Sequence, residues 1–109
     1  MGQYLNQRGW ALNNLASLPH ISVGGACATA THGSGVFNGN LASSVLGFEL
    51  LTSSGEIFWV DSIKSSDLFF GGVVSLGAIG IITKIKLRIE KTFDVEQYVF
   101  ENLPMDVLK

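Results

Sequence analysis

The chain has 109 residues, enough for one domain or part of one, with 47% apolar and only 15% charged residues. An average soluble domain carries roughly 25% charge, so this surface is expected to be covered in part by a larger protein, a cofactor or a partner. The net charge of −2 is built from scattered residues, which excludes the basic footprint needed to bind nucleic acid or an anionic membrane.

In chain order, Gln3 to Leu15 reads as a short amphipathic helix, with Leu5, Leu12 and Leu15 apolar, weakened by Gly9 and ended by Pro19. From Gly9 to Phe48 no Asp, Glu, Lys or Arg occurs. That window holds both histidines, the single Cys27 and a ribbon of small residues from Ser22 to Gly35. A helix starting near Gly24 or Gly25 would add a positive dipole end to that ribbon. Val45 to Leu51 and Glu56 to Val60 read as strands joined in a hairpin through Ser53-Ser54-Gly55. Ser65 or Ser66 reads as an N-cap, with Asp67 in the first turn and Leu68, Phe69 and Phe70 behind it. Ile81 to Glu90 alternates with period two: Ile81, Thr83, Ile85, Leu87 and Ile89 on one face, Ile82, Lys84, Lys86, Arg88 and Glu90 on the other. Phe93 to Glu101 reads as a further strand, and Leu103 onward as the start of a helix. The fold class expected is α+β, a mostly antiparallel sheet flanked by helices.

One cysteine excludes an internal disulfide and any multi-cysteine metal site, so no metal is expected. The start lacks the features of a signal peptide, and the longest apolar run, Leu68 to Thr83, is shorter than the about 20 residues of a membrane span. A soluble, cytoplasmic protein is the expectation.

Chemistry is sought in the ribbon Ser22 to Gly35. Its tiny side chains let a flat or bulky ligand lie against the backbone. Its hydroxyls and amide N–H groups can hold phosphate without a cationic side chain. The competing reading is close chain packing, which also selects Gly, Ala, Ser and Thr. The glycine fingerprints of dinucleotide-binding and P-loop sites are absent. There is no G-x-S-x-G elbow and no Asp near His32 in sequence, so a hydrolase using Ser34 or Ser22 has little support.

Ser17-Leu18-Pro19-His20-Ile21-Ser22-Val23-Gly24-Gly25, followed by Ala28-Thr29-Ala30-Thr31-His32-Gly33-Ser34-Gly35, resembles the flavin-domain signature of the alditol and xylitol oxidases, members of the vanillyl-alcohol oxidase superfamily. Ser75 to Thr83 resembles that superfamily's second flavin-contacting element. The Thr-His-Gly-Ser-Gly piece is shared with aldonolactone oxidases, whereas Leu-Pro-His-Ile-Ser points to polyol oxidases.

The resemblance implies FAD as cofactor and a small polyol as substrate. By position, Gly25, Ala26, Thr29, Thr31, His32, Gly33 and Ser34 would line the flavin and its pyrophosphate. Gly80, Ile81 and Ile82 would meet FAD through main-chain groups, near its adenine end. Ser22 would lie beside the flavin ring and touch a substrate hydroxyl. Ser22 and His32 have structural rivals, as a helix cap and as a hydrogen-bonded loop residue, while His20 reads as a packing or turn residue and Cys27 as a buried thiol.

It also implies a division of the chain. Residues 1–17 would close the first FAD-binding subdomain, 18–90 form the second, and 91–109 open the substrate domain. The first subdomain and the substrate domain would then be the segment's partners in the same protein. No catalytic residue is expected within these residues, so the segment alone should not turn over substrate. A non-catalytic module that kept the fold is the alternative.

Overall fold

The computed structural model describes residues 1–18 and 20–107. It is an α+β unit with two antiparallel sheets and short helices, as the sequence predicts. Helix α1 (Gly2–Asn6) is followed by strand β1 (Trp10–Ala11), helix α2 (Val23–Ala28), a 3-10 turn (Leu41–Ser44), β2 (Val45–Leu51) and β3 (Ile57–Asp61). Helix α3 (Ser66–Gly72), β4 (Ile81–Leu87), β5 (Glu90–Lys91) and a second 3-10 turn (Met105–Val107) complete the order.

The first helix is shorter than its leucine spacing predicts. It stops at Asn6, and Gly9 takes a left-handed φ of +75°, which turns the chain out of the helix. Trp10 and Ala11 then pair with Lys91 and Glu90 in a two-stranded ribbon. The Thr92 hydroxyl donates to Asn6 Oδ1 at 2.9 Å and closes the junction. Pro19, the expected helix terminator, lies outside the described residues.

The hairpin β2–β3 forms as predicted, and β2 is the centre of a three-stranded sheet of order β3-β2-β4. Asp61 ends β3 by accepting the backbone N–H groups of Lys64 (2.9 Å) and Ile63 (3.0 Å), which turns the chain into α3. Ser65 occupies the N-cap position of α3 without making a side-chain cap bond.

The alternation expected along β4 is broken. Glu49 pairs with Lys84 but Leu50 pairs with Ile82, so Thr83 is the extra residue of a β-bulge. The slip moves Ile82 onto the face of Ile85, where both pack on the core. Ile81 is left 64% exposed. A second irregularity lies between Val45 and Gly47, and the regular strand stops at Leu87 instead of running to Glu90.

The core gathers Leu12, Cys27, Leu41, Phe48, Leu50, Val60 and Phe69 under the inner face of the sheet, with α2 and α3 against it. Phe48 and Leu50 sit in the middle of the middle strand, so truncating either to Ala should cost about 3–5 kcal/mol. The strand expected over 93–101 is not formed. Those residues are exposed and find no neighbouring strand among the described residues to satisfy a ladder. The helix expected from Leu103 is only the turn Met105–Val107, and residues 108 and 109 lie outside the described residues.

Candidate functional site

Helix α2 is the first wall of the site. The Ser22 hydroxyl accepts the Gly25 N–H at 3.1 Å, and the Ser22 carbonyl accepts the Ala26 N–H. Ser22 is therefore the N-cap of α2. The cap also uses two of the amides that the sequence offers to a phosphate. Ala26 and Cys27 point into the core, and burial pushes the Cys27 thiol above its usual pKa.

The helix ends in a Schellman motif. The Thr31 N–H donates to the Ala26 carbonyl and the Ala30 N–H to the Cys27 carbonyl, with Ala30 left-handed at φ 52°.

The second wall is the turn that leads into β4. Leu76, Gly77 and Gly80 all have positive φ, of 52°, 81° and 137°. The Leu76 N–H donates to the Ala28 carbonyl at 3.2 Å and fixes the turn to the end of α2. Between the walls runs an open groove of about 470 Å³ lined by Gly24, Gly25, Ala28, Thr29, Ser75, Leu76, Gly77, Gly80 and Ile82. No charged side chain lines it. A Cβ added at Gly24 or Gly77 would meet no atom within 4 Å, so both glycines open onto free space. Gly80 is different: its Cβ would stand 2.5 Å from the Leu51 carbonyl oxygen.

Of the residues expected at a cofactor, the groove brings together Gly25, Thr29, Gly80 and Ile82. Ser22 and Ala26 line a separate apolar groove of about 640 Å³ on another side of α2, with His20, Ile21, Leu18 and Leu41. Thr31, His32, Gly33, Ser34 and Ile81 line neither groove. Thr31 shares its hydroxyl with that of Thr29 at 3.0 Å. His32 is exposed, with Nδ1 3.0 Å from the Gly33 carbonyl oxygen. Gly33 has a packing role, because a Cβ there would lie 2.5 Å from both Asn14 Oδ1 and the Leu15 carbonyl oxygen. The Ser34 carbonyl accepts from Asn38 Nδ2 at 2.9 Å.

Gly24, Ala28, Ser75, Leu76 and Gly77 line the groove without having been assigned from sequence. Their signal was present in the small residues flanking Gly25 and in the Ser-Leu-Gly turn before Gly80.

Comparison with known proteins decides the family. A family model described as an FAD binding domain matches residues 1–61, over half of the chain. The chain belongs to that family. It is 46% identical over 105 residues to an alditol oxidase from Streptomyces sp., an alignment covering 96% of this chain and 25% of that protein. It is 37% identical over 93 residues to a D-arabinono-1,4-lactone oxidase from Eremothecium gossypii, covering 85% of this chain and 18% of that protein. The corresponding enzyme from Kluyveromyces lactis is 33% identical over 96 residues, covering 88% of this chain and 18% of that protein. The chain thus spans about a quarter or less of these relatives.

FAD is the cofactor of this FAD-linked oxidase family, and the groove is chemically suited to part of it. Its walls are small and uncharged, and one buried hydroxyl in its lining, that of Ser75, has no hydrogen-bond partner among the described residues.

Proposed function

We propose that this chain is part of the flavin-binding domain of an FAD-dependent oxidoreductase that oxidises a polyol, with oxygen as electron acceptor. The observation that carries the reading is the groove between α2 and the Ser75–Gly80 turn, in a chain 46% identical to an alditol oxidase over nearly its whole length. Bound FAD supplies the hydride acceptor. The chain's own contribution is to hold it: Gly24, Gly25 and Gly77 admit a flat ring to the backbone, and Ala28 and Ile82 give it apolar contact. Ser22, on the neighbouring groove, is the residue assigned to a substrate hydroxyl, in addition to its capping role. The base that takes the hydroxyl proton is assigned to other parts of the whole protein.

Oxidation of an aldonolactone is the second reading, favoured by the 37% identity to a lactone oxidase. Both substrates are neutral and hydroxylated, as a groove without charge permits. Peroxide release by the whole flavoprotein with xylitol or with D-arabinono-1,4-lactone separates the two. Faster turnover of xylitol supports the polyol reading, and faster turnover of the lactone replaces it with the second. A whole protein that carries no flavin contradicts both.

A further inference from the structure

Six asparagines occur in the chain, and only Asn38 is followed by glycine. The pairing matters because the backbone nitrogen of the next residue can attack an asparagine side chain. A glycine there has no Cβ to crowd the approach and the widest choice of backbone angles. Asn38 lies in a loop, residues 34–39, in which every residue is exposed. Its neighbours Val36 and Phe37 are 95% and 100% exposed, so side-chain packing does not hold the tip. The Gly39 N–H makes no hydrogen bond among the described residues, which leaves its nitrogen free to react. Two other asparagines give the contrast. After Asn40, the Leu41 N–H donates to the Thr31 carbonyl at 2.8 Å; after Asn6, the Gln7 N–H donates to the Gln3 carbonyl at 3.1 Å. In both, the attacking nitrogen is engaged and its residue carries a side chain.

We propose that Asn38 is a site of spontaneous covalent modification, converting in the folded protein to a mixture of aspartate and isoaspartate. The Gly39 nitrogen gives up its proton and bonds to Asn38 Cγ. The Cγ–Nδ2 bond breaks, and Nδ2 leaves as ammonia, which carries that proton away. The five-membered imide so formed takes up one water molecule. Opening at Cγ gives aspartate. Opening at the main-chain carbonyl carbon of residue 38 routes the backbone through Cγ and gives isoaspartate. Water is the only co-reactant, and nothing is oxidised or reduced. Either product alters the loop. Asn38 Nδ2 donates to the Ser34 carbonyl at 2.9 Å, whereas a carboxylate has no proton to give, so the tie across the turn is lost. Isoaspartate also adds a main-chain atom before Gly39, whose carbonyl accepts from Asn14 Nδ2 at 3.3 Å. The new negative charge falls within Gly9 to Phe48, a stretch that otherwise carries none.

The test incubates the whole protein carrying this segment, folded, at neutral and at mildly alkaline pH. Mass spectrometry of its peptides then locates the amide-to-acid mass gain residue by residue, and an isoaspartyl methyltransferase reports the isomer. The gain should collect on Asn38 at least about tenfold faster than on Asn6 or Asn40. It should also be faster at the higher pH, where the attacking nitrogen loses its proton more readily. Asn38→Gln keeps the amide but must close a less favourable six-membered ring, and should lose the signal. A folded protein whose Asn38 stays intact overturns the proposal, whether or not the denatured protein converts. So does a gain spread evenly over the asparagines, or one that persists undiminished in Asn38→Gln.

Discussion

The Leu76 N–H donates to the Ala28 carbonyl across 3.2 Å and joins two stretches of chain that are distant in sequence. One stretch is the last residue of α2; the other is a left-handed turn before β4. The bond sets the width of the groove between them. It also explains why both stretches are poor in large side chains on their facing sides, since Gly24, Gly25, Ala28, Gly77 and Gly80 all lie along it.

The left-handed positions around the groove should respond to substitution with opposite signs. Ala30, at φ 52°, closes the Schellman motif where glycine is the usual occupant. Ala30→Gly should stabilise the chain by about 0.5–1 kcal/mol. Gly80→Ala combines a φ of +137° with a Cβ 2.5 Å from the Leu51 carbonyl oxygen. It should cost about 3 kcal/mol or more. Urea midpoints of the two variants check both signs.

Ser22 and Gly25 should behave as a coupled pair. Ser22→Ala removes the N-cap and should cost about 1 kcal/mol. Gly25→Ala places a Cβ 2.9 Å from Ser22 Oγ and displaces the cap, so its helix-propensity gain is largely cancelled. In the Ser22→Ala background the clash is gone, and Gly25→Ala should stabilise by about 0.5–1 kcal/mol. A double-mutant cycle by denaturant unfolding measures the difference. Additive values would show that the two residues do not interact.

Stability should fall in acid through two carboxylates. The Thr83 hydroxyl donates to Glu49 at 2.7 Å and Lys84 Nζ pairs with it at 3.0 Å, holding its carboxyl below the usual value of 4.5. The Lys64 and Ile63 N–H groups hold Asp61 below 3.8. In each case the folded pKa is depressed, so the unfolded chain binds more protons as pH falls. The stabilisation is present above the unfolded values and is lost as pH drops through the folded ones. Glu49→Gln should flatten the slope of unfolding free energy against pH in the window below 4.5.

Cys27 should be inert while the chain is folded. It is 1% exposed, and burial raises its thiol pKa above 9.0. A raised folded pKa means that its contribution to stability is intact below 9.0 and declines as pH climbs through the folded value. A disulfide exchange reagent should label Cys27 at the rate of unfolding, and in full only in denaturant. Fast labelling of the folded protein would contradict its place in the core.

Much of this architecture was legible in the residues. Val45 to Leu51 and the strand after Gly55 form and pair as a hairpin, as expected, because a hairpin is a local object and its signals are local. The error in β4 has a different origin. Ile81 to Ile89 alternates in the text, but the bulge at Thr83 depends on how Glu49 and Leu50 meet it from another strand. Leu5, Leu12 and Leu15 suggest one helix, yet Gly9 turns the chain and a distant Glu90 and Lys91 recruit Trp10 and Ala11 into a ribbon. At the site, the ribbon of small residues marked one wall. The turn before β4 was marked too, within Ser75 to Thr83, but the burial of the unpartnered Ser75 hydroxyl is a property of packing and not of sequence.

The groove as a resting place for part of FAD is tested most directly at Gly24. Its Cβ would enter the groove without touching another protein atom within 4 Å, and its place within α2 suits an ordinary side chain. Gly24→Leu in the whole protein should leave the fold and the melting temperature of the flavin-free form intact while lowering the flavin bound per chain at least tenfold. A Gly24→Leu protein that purifies with its full complement of flavin would contradict the assignment of this groove to the cofactor.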